Sequence, residues 1–171
     1  SSIININNNI EILGIGIGAP NASKNGTIET PANLNWSGNL NLVQNLKKKL
    51  NLPVFLSNDA NCAAIGEMMY GNAKNLKDFI VITLGTGLGS GIISNGKLIE
   101  GYDGFAAELG HFSINNSEGR LTGLGVKSGL EAYVSATGIK RTIMYMLSKY
   151  INDSIFRGIA FNDLHGEDIT K

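Results

Sequence analysis

The spacing of apolar residues changes period several times along this chain, and strand-like and helix-like stretches interleave. Ile12 to Gly18 alternates apolar residues with glycine, the pattern of a strand packed closely against its neighbours. Ala19 to Gly38 is polar and holds Pro20 and Pro31, which predicts a long loop with one short strand near Thr27 to Glu29. Leu40, Val43, Leu46 and Leu50 recur at helical spacing, and Pro53 to Leu56 reads as a short strand. Asn58 or Asp59 then caps a helix running towards Tyr70. That helix carries Ala60, Ala64 and Met68 on one side and Cys62, Ile65 and Met69 on another, so it is expected to be central.

Phe79 to Leu84 reads as a buried strand and Gly91 to Ser94 as a second, with Asn95-Gly96 a hairpin turn leading to Lys97 to Ile99. Phe112 to Ile114 predicts a further strand, and the polar, glycine-rich stretch from Asn115 to Ser128 a loop. Leu130, Val134, Ile143, Met146, Leu147 and Tyr150 mark two helices broken near Gly138. The last twenty residues or so carry little pattern, and the N-terminal Ile-Asn repeats suggest no function. The interleaving makes the class α/β. Two lobes are expected, residues 1–57 forming part of a small one and residues 58–171 part of a larger one, meeting near Asp59.

Composition narrows the function. The 171 residues are 43% hydrophobic and 16% charged, which suits a folded chain rather than a disordered one. A formal net charge of +0 argues against a broad electrostatic grip on nucleic acid or an anionic membrane. Lys47-Lys48-Lys49, the nearest thing to a basic run, sits where cations complement a helix dipole. The 1 cysteine, Cys62, permits no internal disulfide. No apolar run approaches a membrane span and no charged-then-apolar leader opens the chain, so no membrane association is expected and a reducing cytoplasm is the expected compartment.

Three polar segments could carry chemistry. Asp59 follows a strand and opens a helix, so it is either a plain N-cap or a general base at a strand end, where sheet architectures place ligands. Such a base contributes about 10²- to 10⁴-fold in rate. Gly85-Thr86-Gly87-Leu88-Gly89-Ser90-Gly91 could be a flexible turn, but four glycines at alternate positions also let backbone N–H groups approach phosphate oxygens. The run is neither a P-loop with its lysine nor a dinucleotide fingerprint. Glu108 and His111, three residues apart, share one face of a helical turn, whether as a structural pair or as substrate contacts. Glu131 in the first turn of the next helix is unremarkable by itself.

In order, Asn58-Asp59-Ala60-Asn61, the Gly85 to Gly91 loop, Ala107-Glu108-Leu109-Gly110-His111 and Leu130-Glu131-Ala132-Tyr133 resemble the successive motifs of the ROK family of sugar kinases and sugar-responsive repressors. The resemblance runs from about Gly14 to Tyr150. It implies an actin-like ATPase (ribonuclease H-like) fold with two lobes, here truncated at both ends. It implies a kinase acting with ATP and its magnesium, on the 6-hydroxyl of glucose. Another hexose, an N-acetylated hexosamine, or a sugar-sensing regulator without catalysis are the alternatives. Asp59 would be the catalytic base, and Asn58, Glu108, His111 and Glu131 would contact the sugar. Gly85, Thr86, Gly87 and Gly89 would face ATP. Gly18-Ala19-Pro20-Asn21 and Asn33-Leu34-Asn35-Trp36 resemble sugar loops of the glucokinase branch, which adds Asn33 as a contact. The resemblance leaves a homodimer open and gives no nucleic-acid partner. Family members commonly hold a structural zinc with this histidine and three cysteines. Those cysteine positions here hold Thr122, Leu124 and Gly129, so no metal is expected. The family's first phosphate loop, of Asp-Gly-Gly-Thr type, and its adenosine-binding C-terminal segment do not occur in these residues.

Overall fold

A computed structural model describes residues 11–29, 38–114 and 119–165 of the chain. Asn33 and the Asn33–Trp36 motif, together with the Ile-Asn repeats before Glu11, lie outside the described residues.

The first sheet has two parallel strands, β1 (Ile15–Gly18) and β2 (Val54–Ser57), in register from Ile15 opposite Val54 to Gly18 opposite Ser57. Helix α1 (Leu42–Leu50) joins them. Asn41 caps it by accepting from the Gln44 amide at 3.2 Å, and Asn51 ends it in a left-handed conformation. No residue of α1 is buried, so its three terminal lysines lie on a solvated helix. The short strand expected near Thr27 is reduced to single bridges from Ile28 to Ala22 and to Leu40. Ile28 is nonetheless fully buried, in a cluster with Ala19 and Ala22 against which Ile17, Leu42 and Leu56 pack.

Helix α2 (Asp59–Tyr70) follows β2 directly and packs on β1 and on the second sheet. That sheet is antiparallel, in the order β3 (Phe79–Leu84), β4 (Leu88–Ser94) and β5 (Lys97–Leu98). Ala60, Asn61 and Ala64 are the buried face of α2. The approach is close because Gly91 has no side chain: a Cβ there would lie 2.7 Å from both the Ala60 carbonyl and the Ala64 Cβ. Asn95 and Gly96, both with positive φ, make the expected hairpin turn into β5.

Several expectations need correction. β3 forms where predicted, but it is not buried: Ile80, Ile82 and Leu84 are 53%, 52% and 59% exposed. They share a face with Leu88, Ser90 and Ile92 by register, opposite the face covered by α2. The glycine run is not one loop, since β4 already begins at Leu88 and only Gly85–Gly87 turns. Phe112–Ile114 is no strand beyond one bridge, Ser113 to Gly129. The helix break falls at Ser135 between α3 (Glu131–Val134) and α4 (Ala136–Lys149), not at Gly138. Ser135 caps α4 by accepting from the Gly138 amide at 3.1 Å. Gly138 lies inside α4 and is buried, where a Cβ would press on the Ala132 and Tyr133 backbone. The poorly patterned tail holds two short 3-10 turns, Ile155–Gly158 and Phe161–Asp163.

Candidate active site

A cavity of about 620 Å³ opens where the C-terminal end of β2, the turn between β3 and β4, and the N-terminal turns of α3 and α4 converge. Asn58, Asp59, Glu108, His111, Glu131 and Gly85 to Gly89 all line it, so the four segments singled out in the sequence meet at one place.

Asn58 and Asp59 stand at the junction of β2 and α2 and take different roles. Asn58 is the N-cap, its Oδ1 accepting from the amides of Ala60 at 2.8 Å and Asn61 at 3.3 Å. Its oxygen is committed, which leaves the side-chain NH₂ as the group able to meet a ligand. Asp59 is the first helical residue and is exposed to the cavity. One of its oxygens accepts from the Ala60 amide at 2.9 Å, which orients the carboxylate at the positive end of the helix.

Glu108 precedes a 3-10 turn, Leu109–His111, that His111 ends, and the two side chains approach each other to 3.9 Å. The hydroxyl of buried Ser90 holds this segment to β4: it donates to the Ala107 carbonyl and accepts from the Leu109 amide at 3.2 Å. Burial pushes the Glu108 carboxyl above its ordinary range; His111 opposes this, and Asp59 and Glu131 add to it. The carboxylates are thus close enough to sense one another.

Glu131 fastens the cavity's far wall. Its Oε2 accepts from the Leu88 amide at 3.0 Å and its Oε1 from the Gly123 amide at 3.2 Å. It lies so near the turn that a Cβ on Gly87 would be 2.3 Å from Oε2. Gly89 also lines the cavity, but it sits in β4 opposite Thr83 and beneath Ala60. Pro20 and Asn21 reach the cavity from the first sheet's loop. Sequence reasoning did not single out Ser90, Thr137 or Arg141. Ser90 stands between Gly89 and Gly91, a signal that could have found it; Thr137 and Arg141 carried none.

The ROK family profile matches residues 4–171. The chain belongs to the ROK family. A glucokinase of Halalkalibacterium halodurans is 40% identical over 133 residues, 77% of this chain and 40% of its own length. The xylose repressor of Caldicellulosiruptor bescii is 37% identical over 83% of this chain and 36% of its own length. The crystal structure of a ROK family glucokinase from Streptomyces griseus in complex with glucose and AMPPNP matches with a TM-score of 0.75 at 32% identity, covering 95% of this chain and 53% of that one. The fold is therefore that of the actin-like ATPase sugar kinases, and the chain spans 36% to 53% of the length of these relatives.

A structural zinc of the ROK kind finds no cage here. Thr122 is buried, its methyl occupying the space beside Gly129 where a Cβ would fall at 2.5 Å, and its hydroxyl accepts from the Val126 amide at 3.1 Å. Leu124 is exposed and Gly129 has no side chain. His111 Nδ1 is buried without a hydrogen-bond partner among the described residues, but one nitrogen is not a four-ligand site. The residues present do not fit the metal. Among the described residues no helix is long and apolar enough to cross a membrane.

Proposed function

We propose that this chain carries the sugar site and one phosphate loop of an ATP-dependent hexose kinase that phosphorylates the 6-hydroxyl of glucose. The observation that carries this reading is the shared cavity, which brings Asp59, the Gly85–Gly87 turn and the Glu108–His111–Glu131 group together. Asp59 would take the proton of the sugar hydroxyl as its oxygen attacks the γ-phosphorus and ADP leaves. The Asn58 amide group, Glu108, His111 and Glu131 would hold the remaining sugar hydroxyls, with Asn33 a further contact by family resemblance. Gly85, Thr86, Gly87 and Gly89 would line the phosphate path, and magnesium would arrive with ATP. The junction at Asn58 would separate the small lobe from the large one, and use of ATP suits a cytoplasmic enzyme.

The glucokinase relatives support glucose over other hexoses or an N-acetylated hexosamine. The xylose-repressor relative keeps a second reading open, a sugar-sensing regulator that binds without transferring phosphate and that, as a repressor, would also engage nucleic acid. The discriminating experiment is a coupled ADP-release assay with glucose and magnesium–ATP, on a version of the protein that includes a first phosphate loop. Asp59→Asn keeps the volume and removes the proton acceptor. Turnover should fall about 10²-fold or more with little change in glucose affinity. Turnover of the variant within a few-fold of wild type would remove Asp59 from the role of base, and glucose binding with no turnover at all would favour the regulator.

A further inference from the structure

We propose that Arg141 of α4 is the cation that grips the nucleotide's phosphate chain in this cavity. The inference rests on the kinase reading and adds a residue to it. Three acids, Asp59, Glu108 and Glu131, line the cavity, and Arg141 is the one lysine or arginine among its described lining residues. A magnesium–triphosphate still carries negative charge, so three carboxylates oppose its entry unless a cation stands on the phosphate side. The Gly85–Gly87 turn can offer backbone N–H groups but no full charge.

Placement favours Arg141 for that side. The first turn of α4 is tied to the glycine turn, the Ala136 amide donating to the Gly85 carbonyl at 3.0 Å. Thr137 lies one residue on and also lines the cavity. Arg141 is four residues beyond Thr137, hence on the same helix face, one turn deeper along the wall. Its Nη1 donates to the Leu121 carbonyl at 3.4 Å, a long bond on the cavity's rim. A guanidinium has five donors in a planar fork, suited to bidentate contact with phosphate oxygens. Lys140, the adjacent cation, is directed elsewhere, its Nζ 5.9 Å from the Phe161 ring.

The test titrates the protein with glucose, magnesium–ATP and magnesium tripolyphosphate, following heat or amide chemical shifts. Arg141→Gln should weaken both phosphate ligands about tenfold or more and leave glucose affinity within about twofold. Arg141→Lys should fall between, because lysine keeps the charge but loses the fork. Lys140→Gln removes the same net charge one residue away and should leave all three affinities unchanged. Far-UV circular dichroism checks that each variant folds; if Arg141→Gln does not, a loss of several-fold in phosphate affinity with Arg141→Lys decides in favour. Phosphate affinity unchanged in the folded Arg141 variants, or lowered equally by Lys140→Gln, overturns the assignment while leaving the kinase reading intact. A wild-type protein that binds glucose but neither phosphate ligand overturns that reading and this assignment together.

Discussion

Glu108 illustrates how a single side chain can be held against its own stability. Burial and the neighbouring Asp59 and Glu131 raise its carboxyl above the ordinary 4.5, so the folded state holds this proton more tightly than the unfolded one. Between 4.5 and its raised value the native chain binds more protons than the unfolded one. The contribution is therefore stabilising below 4.5 and is lost as pH rises through the folded value. Glu108→Gln should raise the melting midpoint at pH 7, with the advantage shrinking towards pH 4. The side chain is 40% exposed, so solvent screening limits the gain to under about 1 kcal/mol, or at most about 2–4 °C. Sugar affinity should fall, since an acceptor pair is replaced by an amide. A variant that melts lower at pH 7 than wild type would show that Glu108 is a structural partner of His111 rather than a strained ligand group. Asn58 offers a complementary case: removing the cap by Asn58→Ala should cost about 1 kcal/mol in thermal or urea unfolding, whatever its effect on sugar binding.

At the scale of elements, glycines with identical side chains behave oppositely. A Cβ on Gly91 would stand 2.7 Å from α2 backbone, whereas one on Gly66 of α2 would have nothing within 4 Å. Gly91→Ala should destabilise by about 1–3 kcal/mol, and Gly66→Ala should stabilise by about 0.5–1 kcal/mol, both measurable by urea unfolding. Such differences set what was legible in the sequence. The start of α2 was readable because a cap residue, an acid and an apolar run occur in order. The hairpin was readable because Asn95-Gly96 supplies the positive φ its turn needs. The split of the glycine run was not readable, because glycines that pack under a helix and glycines that turn look the same in one dimension. The break before α4 was misplaced for a related reason: Gly138 serves close packing on α3, while Ser135, a capping residue, ends the turn. In the site, Asp59 and the acid–histidine pair were visible through their motifs. Ser90 holds the Ala107–Leu109 segment from its place on β4, which its flanking glycines hint at, whereas the position of Arg141 on the cavity wall is visible only in the packed structure.

The whole molecule joins a well-assembled cavity to an outer strand, β3, whose side chains on one face are open while their β4 neighbours Leu88 and Ser90 are covered. Ile80, Ile82 and Leu84 form an exposed apolar row on β3, and β3 pairs only with β4 among the described residues. Apolar rows on a sheet edge bind dyes and promote association. The 171-residue chain should therefore enhance the fluorescence of a hydrophobic dye, and Ile80→Thr with Ile82→Thr should reduce that signal without lowering glucose affinity. The same imbalance shapes activity. Transfer of a phosphoryl group requires the γ-phosphate and magnesium to be fixed in line with the attacking hydroxyl, and a misplacement of about 1 Å costs about 10²-fold. Within these 171 residues the Gly85–Gly87 turn is the one proposed phosphate contact of this kind, and there is no Asp-Gly-Gly-Thr sequence to oppose it. The residues assigned to the sugar, Asn33 apart, meet around one cavity. Binding and turnover should accordingly separate: the 171-residue chain is expected to bind glucose weakly and to release ADP negligibly when glucose and magnesium–ATP are supplied together. Calorimetry and a coupled assay on the same preparation measure the two. Robust glucose-dependent ADP release would mean that the single turn, with Arg141 beside it, is sufficient to position the phosphate.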